Sequence, residues 1–246
     1  MNEPARPPVD ADPDPGEDGV TAPDVADTVD ADPEPTEQID SMAIFPLGSV
    51  LLPGMALPLQ IFEPRYRVMM FDLRDVASPE FGVVLIERGS EVGGGETRSI
   101  IGCRALIAHA EEEADGTWAV IAVGTDRIRV DEWLEDDPYP RARVTVWADS
   151  DAAEPVDEDA MTDLERTARR VAGLAVELGA RGQMPEFELS PDPGLRVYQL
   201  AIVSPLGALD RSRILACPTL SSRVALLSEM LGEQEELLQA RLSFGE

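Results

Sequence analysis

The sequence predicts an α+β protein: a β-rich N-terminal half with one helix, followed by a C-terminal α-helical bundle. Three observations predict it. Beyond Met42, short runs rich in Val and Ile recur between Gly, Pro and Asp turn signals, the pattern of a small barrel or sandwich. From Asp157 onward the apolar residues recur every three or four positions, the period of amphipathic helices. The first 40 residues follow neither pattern. The expected organisation is an acidic Pro-rich tail over 1–40, a β-rich subdomain over 41–150 and a helical subdomain over 151–246.

Residues 1–40 hold 8 of the 21 Pro, 13 acidic residues and one Arg, a local charge of −12. Such a segment cannot bury enough surface to offset the entropy of ordering it, so a disordered, solvated arm is expected. Order is expected to begin near Met42 with the apolar run Ile44-Phe45-Pro46-Leu47, stopped at Gly48. Val50-Leu51-Leu52 leads into the turn pair Pro53-Gly54, and Ala56–Phe62 resumes extended chain. Pro46, Pro53 and Pro58 restrict this stretch to edge or barrel-rim structure, because Pro cannot donate to a ladder. Glu63-Pro64 then opens a helix: Pro suits the first helical position and Glu63 complements the helix dipole. Tyr66, Met69, Met70, Leu73 and Val76 form its apolar face, and Ser78-Pro79 ends it. Strands follow over 81–86, 100–110, 118–123, 127–130 and 141–146, with Asp115-Gly116 as a hairpin turn and 89–96 as a Gly-rich loop. That loop precedes no helix start and has no basic residue placed to assist, so it is a poor phosphate cradle.

In the helical half, Leu164, Ala168, Val171, Leu174, Ala175 and Leu178 make one stripe, ended near Gly179 and Gly182. Asp192-Pro193 opens the next helix with Leu195, Tyr198 and Ile202. Ser204-Pro205 reads as a further start, carrying Leu206, Leu209 and Leu215. The last helix follows Pro218-Thr219, with Leu220, Val224, Leu227, Leu231, Leu238 and Leu242 on one face.

Composition narrows the function. The 246 residues include 20 basic residues, all Arg, against 48 acidic ones, a net charge of −28. Without Lys there is no P-loop, no Schiff base and no Ser-Lys dyad. The negative charge also argues against nucleic-acid phosphates and anionic membranes as partners. Cys103 and Cys217 make neither a disulfide framework nor a metal motif, and are expected to be buried. The N-terminus has no signal-peptide pattern, and no apolar run approaches the roughly 18 residues of a membrane span, so a soluble, cytoplasmic protein is expected.

The run Ile44–Leu47, Val50-Leu51-Leu52-Pro53-Gly54-Met55, Leu57-Pro58-Leu59 and Ile61-Phe62-Glu63-Pro64-Arg65-Tyr66 resembles the start of the N-terminal substrate-recognition domain of Lon proteases. Ile101–Ala105, Gly124–Val130 and Ser204–Leu215, with Leu220 and Arg223, resemble later landmarks, so the similarity spans roughly 42 to 242. It is closest in kind to stand-alone bacterial proteins built from that domain. The resemblance implies a PUA-like pseudo-barrel of strands followed by a helical bundle, and capture of unfolded or tagged polypeptides. No ATPase or Ser-Lys proteolytic module lies within the 246 residues, so only the binding half of the activity is expected. The expected partners are unfolded or partner polypeptides, with a separate protease as a further candidate. No enzyme activity, cofactor or metal is expected.

Two groups of residues are candidates for binding. Leu51, Leu52, Pro53 and Met55 sit in a rigid loop that could display an apolar patch for polypeptide contact; closing the end of the barrel is the competing expectation. Glu63, Arg65 and Tyr66 could rim a partner site, although the Pro-led helix start already accounts for Glu63. Two alternatives are kept. Trp118, Trp133 and Trp147 could line a small-molecule pocket. His109, the single imidazole, precedes Glu111-Glu112-Glu113 and could act as a general base in a hydrolase, but no nucleophile elbow accompanies it.

Overall fold

The computed structural model describes residues 37–89, 95–152, 154–179 and 188–244. Most of the acidic arm, the middle of the Gly-rich loop and the stretch around Gly182 lie outside the described residues. In chain order the elements are β1 (Gln38–Leu47), β2 (Ala56–Ile61), α1 (Pro64–Leu73), β3 (Glu80–Arg88), β4 (Thr97–Glu112), β5 (Trp118–Trp133), β6 (Arg141–Val146), α2 (Glu158–Glu177), α3 (Pro193–Val203), α4 (Ala208–Leu215) and α5 (Leu220–Phe244). Among the described residues no helix is long and apolar enough to cross a membrane.

The six strands form one sheet in the order β2-β5-β4-β3-β1-β6, and β6 also pairs with β5, which closes a barrel. β1 starts at Gln38, inside the 1–40 segment expected as a disordered tail, because Gln38 and Ile39 pair with Thr145 and Val144 of β6. Two further features differ from the sequence expectation. First, the barrel is mixed: β1 and β3 are parallel, with Ile44 opposite Gly82 and Leu47 opposite Leu85. The reason is connectivity, since β2 and α1 intervene and return the chain to the direction of β1. Second, the expected strands at 118–123 and 127–130 are two halves of one 16-residue β5. Its first half pairs with β2, its second with β6, and it breaks register against β4 around Cys103/Ala105.

Proline placement follows from the ladders. β2 pairs only with β5, and Pro58 lies on this edge strand. β1 pairs with β6 through Ala43 and with β3 from Ile44, so Pro46 has one strand neighbour. Both faces of β1 are covered. Ala43, Phe45 and Leu47 join a cluster with Phe81, Val83, Cys103, Val120 and the inner face of α1, while Met42 and Ile44 join Val84, Ile128, Val130 and Val144. A strand buried on both faces reads as a continuous apolar run, which is what 42–47 shows.

The helices take their starts from local chemistry. The Asp157 carboxylate accepts from the Asp159 and Ala160 amides at 3.1 and 3.0 Å, and Asp192 accepts from Leu195 at 2.7 Å ahead of Pro193. Ser204 does not open a helix as expected. Its hydroxyl donates to the Leu200 carbonyl at 2.6 Å and ends α3, while Gly207 precedes α4. Leu209, expected on a buried face, is consequently 72% exposed. α2 lies along α5 around Leu164, Ala168, Val171, Leu227 and Leu231, with Arg170 Nε 3.0 Å from Glu235 Oε1. The N-terminus of α5 is capped from a distance: Asp151 accepts from the Leu220 and Ser221 amides at 2.6 and 2.9 Å.

A buried ion cluster joins barrel to bundle. Arg127 of β5 donates to Asp149 Oδ1 at 2.6 Å and to the carbonyls of Leu215 (3.1 Å) and Cys217. Arg223 of α5 donates to both oxygens of Asp149, at 3.0 Å to Oδ2. The two guanidiniums are 4% and 0% exposed and lie over the rings of Trp147 and Tyr198, at 4.4 and 4.3 Å. Burial pulls the Arg127 pKa below its ordinary value and pushes the Tyr198 phenol up.

Asp149→Ala leaves two buried guanidiniums without their carboxylate and is expected to cost about 3–5 kcal/mol in denaturant unfolding. Asp210→Ala removes a 3.8 Å pair at the surface and the acidic side chain in the first turn of α4, and should stay within about 1 kcal/mol. Asp151 gives a pH signature. Burial raises its pKa, but the Ser221 and Leu220 hydrogen bonds outweigh this and hold it below its ordinary 3.8. Its contribution is therefore present above pH 3.8 and lost as pH falls through the lowered value. The stability gap between the parent and Asp151→Asn should close over that acid range.

Candidate functional site

The loop that carries Leu51, Leu52, Pro53 and Met55 does not display an apolar patch. Leu51 (2% exposed) enters the barrel cluster and Leu52 (0%) the bundle cluster, Pro53 is buried, and Met55, half-buried, packs against both clusters. The loop is held by backbone contacts: Gly54 N–H donates to Gly124 O at 2.8 Å and Gly124 N–H to Met55 O at 2.9 Å. Gly54 has φ +79°, which favours glycine. At Gly124 a Cβ would lie 2.3 Å from the Leu52 carbonyl oxygen, so only glycine allows the approach. These side chains bind the protein to itself.

Glu63, Arg65 and Tyr66 come together at the start of α1. The Glu63 carbonyl accepts from Tyr66 and Arg67 at 3.1 and 3.0 Å, and Pro64 fills the first helical position. Arg65 Nε lies 3.2 Å from Glu63 Oε2, both side chains 17% exposed, and its guanidinium stands 4.5 Å from the Tyr66 ring centroid. Tyr66 is 2% exposed and packs on Phe45 at 4.2 Å; burial pushes its phenol pKa well up. Tyr66 thus plugs the barrel, while Glu63 and Arg65 edge the surface beside it.

The surface next to that edge is apolar. Phe62 (58% exposed), Val68 (42%), Phe71 (53%) and Val76 (48%) leave four large apolar side chains in solvent along 62–76. Val76 was expected on the buried face, but α1 ends at Leu73 and releases it. Val68 and Phe71, one helical turn apart, are apolar residues off the buried stripe of Tyr66, Met69 and Met70. That second apolar face was the signal in the sequence for this surface. Beside α1 runs a cleft of about 300 Å³, lined by Met70, Leu73, Pro79, Ile107 and Trp118, with Arg74 and His109 among its polar residues. Arg74 stacks 3.6 Å over Phe71.

The other candidates separate. His109 is 64% exposed and 4.0 Å from Glu111 Oε2. No Ser, Thr or Cys lines the cleft beside it. Among the described residues no group of three His, Cys, Asp or Glu could hold a metal. The tryptophans do not share a pocket: Trp118 lines the α1 cleft, Trp133 lies under Arg98 at 5.2 Å and Trp147 under Arg127. The arrangement offers apolar contact with a charged edge.

Comparison with known proteins places this geometry. The ATP-dependent protease La (LON) substrate-binding domain family matches residues 41–233. "Lon protease 2" of Myxococcus xanthus is 28% identical over 202 residues, covering 80% of this chain and 24% of its own length. "Protein cereblon" of Danio rerio is 31% identical over 115 residues, 45% of this chain and 26% of its own. The chain thus spans about a quarter of the curated relatives it matches. Among solved structures, the "Lon N-terminal domain protein from Xanthomonas campestris" superposes with TM-score 0.56 at 26% identity, covering 78% of this chain and 98% of that one. The "N terminal domain of Mycobacterium avium complex Lon protease" gives 0.54 at 15% identity, over 78% and 98%, a likeness of fold.

Leu52→Ala should cost about 2–5 kcal/mol in equilibrium unfolding, as a buried large-to-small change. Phe71→Ser, at the exposed face of α1, should leave the melting temperature nearly unchanged.

Proposed function

The chain belongs to the LON substrate-binding domain family, and from this premise we propose that it is a non-catalytic recognition module that holds exposed apolar segments of other polypeptides. The observation that carries the reading is the apolar face of α1, with Phe62, Val68 and Phe71 in solvent beside a concave cleft. An exposed apolar face edged by charge is the form of a contact site. The cleft gives one client side chain a place to leave water, with Arg74 and His109 as its polar lining, and Glu63 and Arg65 supply polar groups at the opposite end of α1. Recognition rests on α1 and its cleft in place of the loop of Leu51 and Leu52, whose side chains are already spent on the interior. Proteolysis, named in the longer relatives, is not part of this proposal.

Burying one large apolar side chain is worth about 1.5–3 kcal/mol, so each exposed residue on α1 can change affinity severalfold or more. The 246-residue chain, titrated with a labelled unfolded polypeptide without nucleotide and read by anisotropy, should bind saturably. Val68→Ser with Phe71→Ser should weaken binding about tenfold or more at unchanged melting temperature. Binding should also shift tryptophan emission in the parent and not in Trp118→Phe. Saturable binding indifferent to the α1 changes would remove α1 from the reading, and no binding would remove the reading itself.

A further inference from the structure

A second concave surface lies on the bundle, away from α1. It is a groove of about 290 Å³ between the chain leading into α2 and the first turns of α5. Pro155, Val156, Ala160, Val224 and Ala225 supply its apolar wall, and Asp151, Glu154 and Asp157 its acidic side; no basic residue lines it.

Charge selects the occupant. Residues 149–165 hold eight acidic side chains and no basic one. Two helices begin here, and helix N-termini ordinarily favour anions. Both are already served by the protein's own carboxylates: Asp157 takes the amides of Asp159 and Ala160, and Asp151 those of Leu220 and Ser221. An anionic ligand would meet carboxylates where it needs amides. Glu154 is exposed and has no side-chain partner among the described residues. A cation beside the groove meets Glu154 directly, in a chain of net charge −28.

We infer that this groove takes a bulky apolar side chain of a client polypeptide whose neighbouring residue is Arg or Lys, and that the protein thereby prefers apolar segments with basic flanks over those with acidic flanks. The inference rests on the polypeptide-recognition reading and adds its charge selectivity. Exposed ion pairs are individually weak, so the selectivity comes from several carboxylates acting on one flank and is screened by salt.

The test uses the 246-residue chain and three labelled peptides with one apolar core, flanked by Arg, by Ser or by Asp. Anisotropy at low ionic strength should show the Arg-flanked peptide binding about tenfold or more tightly than the Asp-flanked one, with the gap closing at high salt. Glu154→Arg should narrow the gap several-fold. Ala225→Phe, which fills the groove from an exposed position, should weaken the Arg-flanked peptide at unchanged melting temperature. Equal affinity for all three peptides, or selectivity untouched by both variants, overturns the inference and leaves the recognition reading standing. A concentration-dependent dimer abolished by Ala225→Phe assigns the groove to a second copy and also overturns it. No binding of any peptide overturns both.

Discussion

The carboxylate of Asp149 is shared by Arg127 from the barrel and Arg223 from the bundle, and the junction of the two layers is built around it. Both arginines are at most 4% exposed, so most of the cost of desolvating them must be met in place. Much of it is met by Asp149, by the carbonyls of Leu215 and Cys217, and by the faces of Trp147 and Tyr198, while Arg223 Nε has no hydrogen-bond partner among the described residues. These partners come from three segments, and the arrangement forms when β5, the chain after β6, α3, the end of α4 and α5 are all in position. An apolar contact tolerates sliding; a bidentate carboxylate between two buried cations does not. The cluster therefore sets orientation more than it adds stability.

The loop after β1 performs the complementary task with apolar atoms. Leu51 turns into the barrel and Leu52 into the bundle, and Gly124 brings the loop backbone against β5. A segment that looks designed for display is spent on cohesion. Display falls to surfaces the interior does not need: the outer face of α1, whose inner face plugs the barrel, and the groove where α2 and α5 start. Both sit on elements whose other sides are fixed, so the side chains they offer are presented from a rigid frame.

Electrostatics gives these surfaces a common sense. A chain with 48 carboxylates and 20 guanidiniums uses most of its Arg internally or in short pairs, as with Arg98 between Glu96 and Asp136 or Arg104 between Asp126 and Glu37. The unspent charge is negative. A field of this sign repels acidic polypeptides at long range and draws in basic ones before any apolar contact forms.

The amino-acid sequence alone determined the α+β class, the Pro-led start of α1 at Glu63, the change to helical period at Asp157, the capped start at Asp192, the stripe of α2 and that of α5 as far as Leu238; Leu242, expected on the same face, is 36% exposed. The sequence also carried the Lon-type pattern from Ile44 to Tyr66. These are legible because period, cap and proline act over neighbours within a turn or two. The tertiary structure decided the rest. It made β1 and β3 parallel, merged two expected strands into β5, used Ser204 to end a helix, buried Leu51 and Leu52, and left Val68 and Phe71 in water. It also paired Arg223 with Asp149 across 74 residues and Arg127 with the Leu215 carbonyl across 88. An Arg on the apolar face of α5, between Leu220 and Leu227, signalled a buried charge without naming its partner. A residue's type and local period say that it must be buried or capped; which distant group meets it is settled only when the chain closes on itself.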